Sequence, residues 1–157
     1  MLVAEQPLGI LKRFFTPRTV FMEVGAENCA LALSAASYVE RVYAVEAAEP
    51  PGRSRLPLNL RVVSAAGVAQ DSVDIAYSAR ARLRGTQALE RIYRSLAPGG
   101  TFVIIPSKDY SAREIREVFL QAGFRALRLY GGIGGGFVRV PFALEKLFGE
   151  LRIAAVK

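Results

Sequence analysis

The sequence has no histidine, no tryptophan and only one cysteine among its 157 residues. Without histidine, the chain cannot form a Ser-His-Asp or Cys-His catalytic group, a histidine general base or a histidine-ligated zinc site. A single cysteine excludes an internal disulfide and a zinc site made of thiolates. We therefore expect no metal centre, and any catalysis has to use other side chains.

Long hydrophobic runs are also absent. The longest uncharged stretches, residues 28–39 and 95–107, are shorter than the roughly 18 residues that a membrane-spanning helix needs. The first residues carry no basic segment and no small-residue cleavage site, so we expect no signal peptide. These features predict a cytoplasmic protein without a membrane span.

The composition predicts a single globular domain covering residues 1–157, with residues 1–16 as an N-terminal helix packed against it. Apolar residues make up 52% and charged residues 22% of the chain, which is typical of a folded domain. The charge is uneven: residues 1–78 carry seven Lys/Arg and eight Asp/Glu, whereas residues 79–157 carry fourteen and six. The basic second half indicates either an anionic partner or an ordinary solvated surface.

Helical and strand patterns alternate along the chain. Because the strands are short, apolar and separated by helices, the pattern predicts a parallel sheet covered on both faces. The run Gly-Gly-Ile-Gly-Gly-Gly at 131–136 predicts a flexible turn, and a proline at the first position predicts a short helix at 141–148. The predicted strands are 19–24, 41–45, 60–64, 72–77, 101–105, 124–130 and 151–156, and the main predicted helices are 5–15, 29–37, 86–96 and 111–122.

Two residues at predicted strand ends fit a nucleoside-binding site. In an open parallel sheet, ligands bind beyond the carboxyl ends of the strands. Gly25 allows a tight turn after the first strand, and Glu46, about twenty residues on, could accept hydrogen bonds from ribose hydroxyls. An ordinary turn and a surface acid would give the same two residues, so both interpretations stay open at this point.

Five segments together resemble class I S-adenosylmethionine-dependent methyltransferases along nearly the whole chain. Residues 88–104 (Ala-Leu-Glu-Arg-Ile-Tyr-Arg-Ser-Leu-Ala-Pro-Gly-Gly-Thr-Phe-Val-Ile) are similar to the helix, Leu-x-Pro-Gly-Gly turn and strand of that family. Residues 121–124 (Gln-Ala-Gly-Phe) are similar to the segment before its sixth strand. The other three segments, in the family's order, are 19–26 (Thr-Val-Phe-Met-Glu-Val-Gly-Ala), 41–46 (Arg-Val-Tyr-Ala-Val-Glu) and 73–78 (Val-Asp-Ile-Ala-Tyr-Ser).

The resemblance implies a Rossmann-like three-layer α/β sandwich. Its seven strands would have the order 3-2-1-4-5-7-6, with the seventh strand antiparallel. It also implies S-adenosylmethionine as cofactor. The residues placed at the cofactor by the family motifs are Glu23, Gly25, Ala26, Glu27, Glu46, Ala47, Ser64, Ala65 and, near the methyl end, Ser78. No catalytic residue is assigned, although polar groups available at the rim are Tyr77, Ser78, Lys108, Asp109, Tyr110 and Tyr130.

The first glycine motif departs from the family pattern acid-x-Gly-x-Gly-x-Gly. Glu27 and Cys29 stand at the second and third glycine positions, and residues 64–67 lack the acid that the family often has after strand three. A glycine position implies a left-handed backbone for Glu27, and its carboxylate would oppose that of the cofactor. We therefore expect weak cofactor binding.

Two hypotheses for function follow. The first is an active methyltransferase whose acceptor is a small molecule or an anion held by Arg80, Arg82 and Arg84. The second is a degenerate methyltransferase fold that serves as a binding or regulatory partner, with weak or no cofactor binding. Nucleic-acid binding has only the net charge in its favour, since no basic segment is interleaved with aromatic residues. The sequence predicts no oligomeric state.

Overall fold

Helices and strands alternate in the computed structural model, which describes residues 2–79, 86–105, 111–133, 136–141 and 151–157. The helices in these ranges are α1 Leu2–Leu11, α2 Ala30–Ala35, α3 Thr86–Ser95 and α4 Ala112–Gln121. The strands are β1 Val20–Val24, β2 Arg41–Val45, β3 Leu60–Val63, β4 Val73–Ser78, β5 Leu96–Ile104, β6 Ala126–Ile133, β7 Gly136–Val140 and β8 Leu151–Val156.

All the strands belong to one sheet in the order β3-β2-β1-β4-β5-β8-β6-β7. β3, β2, β1, β4 and β5 are parallel neighbours, and β8 lies antiparallel between β5 and β6. Because β8 is the predicted seventh strand, the predicted order 3-2-1-4-5-7-6 and the antiparallel seventh strand are confirmed.

Residues 131–133 and 136 of the glycine run belong to the sheet, where the sequence predicted a flexible turn, and residues 134 and 135 lie outside the described residues. Gly131 and Gly132 belong to β6 and pair with Val138 and Phe137 of β7, an eighth strand at the sheet edge. Glycines fit here because a hairpin ladder uses backbone groups and needs no side chain. The predicted helix at 141–148 falls almost entirely outside the described residues.

The Pro-Gly-Gly segment is an irregular part of β5 rather than a turn before it. Leu96 pairs with Val73 and Thr101 pairs with Ile75, so the register shifts between these two pairs. A Cβ atom at Gly100 would lie 2.8 Å from the carbonyl oxygen of Ala97 and 3.0 Å from that of Val73. Only glycine fits this close approach of β5 to β4.

The sheet separates two cores. On one face, α1 and α2 cover residues such as Phe21, Ile75 and Val103. On the other face, residues of α3 and α4 pack on Met22, Phe102 and other buried side chains. α4 begins with a capping box, in which Ser111 and Glu114 each bond the backbone N–H of the other, at 3.1 and 2.7 Å.

The connections beside β3 are short. Residues 46–59 between β2 and β3, and residues 64–72 between β3 and β4, contain single 3-10 turns, Arg53–Arg55 and Ala65–Gly67. Parallel strands are usually joined by a helix that covers one face of the sheet. These connections supply only single turns beside β2 and β3, and Tyr43 and Val45 of β2 are nevertheless buried on the side of α3.

Candidate functional site

The loop between β1 and α2 turns sharply at Gly25, at the carboxyl edge of the parallel strands. Gly25 has φ +70°, and a Cβ built on it would meet no atom within 4 Å. Its N–H and that of Ala26 both donate to the carbonyl oxygen of Val45, at 3.0 and 3.3 Å. The loop is thus bound to the end of β2, while the open side of Gly25 could lie against a ligand.

The Glu23 side chain is hydrogen-bonded to the first turn of α2. Its Oε2 atom accepts a hydrogen bond from the N–H of Ala32 at 3.0 Å, in the first turn of the helix. Burial raises the pKa of the Glu23 carboxyl to about 7, although the bond from Ala32 favours the charged form. The side-chain oxygen of Asn28 accepts a hydrogen bond from the N–H of Ala30, in the same turn, at 3.1 Å.

The backbone strain of the loop falls on Cys29 and not on Glu27. Cys29 is fully buried and has φ +60°. Among the described residues, the non-glycine positions with positive φ are Cys29, Glu46 and Asp71, so the left-handed backbone expected for Glu27 is wrong. The Glu27 side chain is exposed, and its carbonyl oxygen accepts the N–H of Glu49 at 2.7 Å.

A cleft lies between α3 and the ends of β1 and β2. It encloses about 410 Å³ of space between atoms, part of it open to solvent. The strand side of the cleft includes Val24, Val45, Glu46 and Ala65, so two predicted cofactor residues, Glu46 and Ala65, line one cleft. The full lining is Met22, Val24, Val45, Glu46, Ala65, Ala88, Arg91, Ile92 and Ser95.

Glu46 is the acidic group of this cleft. It is exposed, adopts φ +55° and donates its N–H to the carbonyl oxygen of Val63 at 3.2 Å. This bond ties the end of β2 to β3. Apart from Glu46, Arg91 and Ser95 the lining is apolar, which is suitable for a flat, partly polar ring system carrying hydroxyl groups.

The other predicted cofactor residues lie outside the lining of the cleft. Ala47 is half-buried and packs on the core beneath α2, whereas Ser64 is exposed before the 3-10 turn at Ala65. Ser78 is buried at the end of β4, and its carbonyl oxygen accepts the N–H of Ile105 at 3.4 Å. Arg80, Arg82 and Arg84 lie outside the described residues.

The polar groups expected at the rim are differently placed. Tyr77 and Tyr130 are buried, with exposed fractions of 1% and 9%, so neither stands at the rim as expected. Lys108, Asp109 and Tyr110 lie outside the described residues.

Two arginines were not predicted from the residues at strand ends. Arg91 lines the cleft from α3, and Arg152 is 94% buried near the start of β8. An arginine within the apolar strand sequence Leu-Arg-Ile-Ala-Ala-Val was the signal available for Arg152.

Within the described ranges, no group of three His, Cys, Asp or Glu side chains could hold a metal ion. No helix in those ranges is both long and apolar enough to cross a membrane.

Comparison with known proteins shows the fold and not the family. No family model matches the sequence, and no curated protein matches it significantly. Among solved structures, an S-adenosylmethionine-dependent methyltransferase from Mesorhizobium loti is similar, with a TM-score of 0.67 and 14% identity over 99% of this chain and 98% of that one. The chain therefore has the fold of class I methyltransferases.

Two other structures extend the comparison. Phosphoethanolamine N-methyltransferase 2 of Haemonchus contortus, in complex with S-adenosyl-L-methionine, has a TM-score of 0.68 and 18% identity, covering 98% of this chain and 52% of that one. A precorrin 8w decarboxylase from Methanobacterium thermoautotrophicum has a TM-score of 0.64 and 16% identity, covering 99% and 90%. Proteins with different named activities thus share this architecture.

Proposed function

We propose that the chain is an S-adenosylmethionine-dependent methyltransferase that acts on an anionic acceptor. The observation that carries the proposal is the cleft at the carboxyl ends of β1, β2 and β3, with Glu46 and Ala65 on its walls. This is the edge at which an open α/β sheet binds nucleotides. The likeness to methyltransferase structures, one of them with the cofactor bound, supports the same conclusion.

The residues present fit the nucleoside half of the cofactor. Glu46 would accept hydrogen bonds from the ribose hydroxyls, and Val45 and Ala65 would border the base. Gly25, with open space where a Cβ would stand, lets the ligand approach the backbone. When bound, S-adenosylmethionine supplies an activated methyl group, and the protein has to hold the acceptor in line with it and exclude water.

The fit to the amino-acid half is poorer. The N–H groups of Gly25, Ala26, Ala30 and Ala32 already donate to acceptors within the protein. They are therefore not available to a ligand carboxylate without rearrangement, and Glu27 adds a negative charge nearby. We expect a dissociation constant above about 0.1 mM for S-adenosylmethionine.

A calorimetric titration with S-adenosylhomocysteine and S-adenosylmethionine tests the proposal. We expect measurable binding that weakens about tenfold in Glu46→Gln, because the amide keeps the size but loses the charged acceptor. Glu49→Gln is the matched control, since Glu49 is an exposed acid of the same loop outside the cleft lining. Equal affinity of the wild type and Glu46→Gln would contradict the ribose assignment.

The second candidate is a degenerate fold that acts as a binding or regulatory partner. The observation that favours it is the internal use of the loop N–H groups, together with the replacement of two glycines by Glu27 and Cys29. A folded wild-type protein that binds neither S-adenosylmethionine nor S-adenosylhomocysteine at millimolar concentration would establish this alternative and overturn the first proposal.

A further inference from the structure

One face of α3 forms the helix wall of the cleft. Ala88, Arg91, Ile92 and Ser95 line the cleft, and their spacing of three and four residues places them on the same side of the helix. α3 follows β4 and ends where β5 starts, so it runs back along the sheet. Arg91 therefore lies about one turn beyond Ala88, on the wall opposite the ends of β1 and β2.

The guanidinium of Arg91 is an available hydrogen-bond donor. The side chain is exposed, and it forms no ion pair or hydrogen bond with another described residue. The hydroxyl of Ser95, the other lining side chain with a proton to donate, already donates to the carbonyl oxygen of Arg91 at 3.0 Å. Among the described residues of the lining, Arg91 is thus the side chain that can donate to a ligand.

The carboxylate of Glu46 is the charged acceptor on the opposite wall. Glu46 directly follows β2, at the position that suits the hydroxyls of a ribose. Residues 64–67 (Ser-Ala-Ala-Gly), which follow β3, contain no acid. Within the described lining, an amino group on the base of a nucleoside therefore has no charged acceptor other than Glu46, which the ribose would occupy.

Purine bases differ in what they present to a wall of this kind. Adenine has an acceptor at N7 and an amino donor at C6, whereas guanine has two acceptors, N7 and the carbonyl oxygen O6. Hypoxanthine, the base of inosine, has the same two acceptors. A guanidinium fork donates to N7 and O6 together, but it can donate only to N7 of adenine and then faces the amino group. The wall formed by Arg91 therefore matches a base with a carbonyl group at C6.

We propose that the cleft binds purine nucleosides with a carbonyl group at C6, such as inosine and guanosine, in preference to adenosine. Arg91 donates to N7 and O6 of the base, and Val45 and Ala65 border the ring. The contact of the ribose with Glu46 rests on the proposed function, whereas the preference for the carbonyl group does not. Since S-adenosylmethionine carries adenine, 6-oxopurine nucleosides would compete with it for the cleft.

The test is a calorimetric titration of the full chain with inosine, adenosine and 7-deazainosine. We expect inosine to bind about fivefold more tightly than adenosine, because it gains one hydrogen bond to a charged donor in a partly exposed cleft. 7-Deazainosine lacks the acceptor at N7, so it should bind about as weakly as adenosine.

Arg91→Met removes the donors and keeps an apolar stem. We expect this variant to bind inosine about tenfold more weakly and to prefer inosine to adenosine by less than twofold. Arg94→Met is the matched control, because Arg94 is an exposed arginine of the same helix outside the described cleft lining, and it should keep the wild-type affinities. Both arginines are exposed, so thermal unfolding should show that both variants fold.

Three results would overturn the proposal. The first is adenosine binding as tight as that of inosine in the wild type. The second is a preference for inosine that persists in Arg91→Met, which would mean that another group binds the carbonyl oxygen. The third is the absence of saturable binding of either nucleoside at millimolar concentration.

A separate titration with S-adenosylhomocysteine, alone and in saturating inosine, distinguishes this proposal from the proposed function. Binding of S-adenosylhomocysteine that inosine does not weaken would contradict the shared cleft and leave the methyltransferase function in place. Inosine binding that depends on Arg91, without binding of S-adenosylhomocysteine or S-adenosylmethionine, would support this proposal and contradict the proposed function.

Discussion

The polar groups at the two ends of the parallel strands differ in how fully they are hydrogen-bonded. We call these ends the amino edge, where the parallel strands begin, and the carboxyl edge, where they end. At the amino edge, the carboxylate of Asp74 accepts the N–H of Val20 at 2.8 Å, and Asn59 donates to the carbonyl oxygens of Ala36 and Val39 at 2.9 and 3.1 Å. Lys157 bonds both Asp71 and the carbonyl oxygen of Leu96, at 2.6 and 2.7 Å. These groups tie strands and helices together.

The carboxyl edge is less well satisfied. Glu23 is a half-buried acid whose pKa is raised, Tyr77 has no hydrogen-bond partner among the described residues, and Cys29 and Glu46 hold left-handed backbone conformations. Each of these features costs stability. Asp71 at the amino edge also has a left-handed backbone, so the edges differ in the half-buried acid and the unpartnered hydroxyl, features that agree with the site proposed at the carboxyl edge.

Glu23 gives the largest expected effect, through the pH dependence of stability. Its carboxyl has a pKa of about 7 in the folded chain and 4.5 ordinarily, so the folded state binds an extra proton between these values. The stabilisation is fully present below pH 4.5 and is lost as the pH rises through 7, by about 3 kcal/mol. Denaturant unfolding at pH 4.5, 6 and 8 measures the loss.

Glu23→Gln is the variant for this experiment, because an amide can still accept the N–H of Ala32. We expect the variant to lack this part of the pH dependence and to be more stable than the wild type at pH 8. Glu40→Gln, a change at an exposed acid, should keep the wild-type dependence. Parallel stability curves for the wild type and Glu23→Gln would show that Glu23 titrates normally.

The hydrogen bonds of Asn59 test how much the polar contacts at the amino edge contribute to stability. Asn59→Ala removes both bonds to the carbonyl oxygens of Ala36 and Val39, and we expect it to lower the free energy of unfolding by about 2 kcal/mol without changing cofactor affinity. Asn28→Ala is the matched change at the carboxyl edge. Asn28 makes one exposed bond, to the N–H of Ala30, so its loss should cost under about 1 kcal/mol. A reversed order of the two costs would contradict the comparison.

Hydrophobic periodicity was sufficient to predict most of the helices and strands and the parallel sheet covered on both faces. The strand order was implied by the resemblance to class I methyltransferases, for which the segment around Pro98, Gly99 and Gly100 was the most specific. β7 was missed because the glycine run before it was interpreted as a turn, although Phe137, Val138 and Val140 are residue types that favour strands.

The candidate site was only partly predictable. Glu46 and Ala65 could be found because both directly follow strands, and strands end at the ligand-binding edge. Arg91 and Arg152 could not, because their positions depend on how α3 packs and on β8 running antiparallel to its neighbours. The spacing of the glycine motif also could not show that the strain would fall on Cys29 rather than Glu27, since that depends on where the chain enters α2.

The contribution of Glu27, at the carboxyl edge, is tested by cofactor affinity rather than by the free energy of unfolding. With an ordinary backbone at this position, only the side-chain bulk and charge oppose the cofactor. We expect Glu27→Gly to tighten S-adenosylmethionine binding about tenfold, or by about 1.4 kcal/mol. Calorimetric titration of Glu27→Gly, Glu27→Gln and Glu49→Gln separates bulk, local charge and general charge. Unchanged affinity in Glu27→Gly would mean that the bonded loop N–H groups, and not Glu27, weaken binding.

The smallest effect concerns the backbone strain at Glu46. A left-handed conformation costs a non-glycine residue roughly 1–2 kcal/mol, while glycine adds about 0.4–1 kcal/mol of entropy to the unfolded chain. Glu46→Gly should therefore raise the free energy of unfolding by about 0.5 kcal/mol, measured in denaturant, and should also weaken cofactor binding. Such a stabilised but binding-impaired variant is expected where strain serves a site.

Asp71→Gly is the matched control for Glu46→Gly, because Asp71 is exposed and also has φ +55°. It lies at the amino edge, however, and glycine there would remove the bond to Lys157. We expect Asp71→Gly to be less stable than Glu46→Gly and to bind cofactor like the wild type. If both variants were equally stabilised, the polar contacts of the amino edge would contribute nothing measurable at Asp71, and the two edges would not differ in the way inferred here.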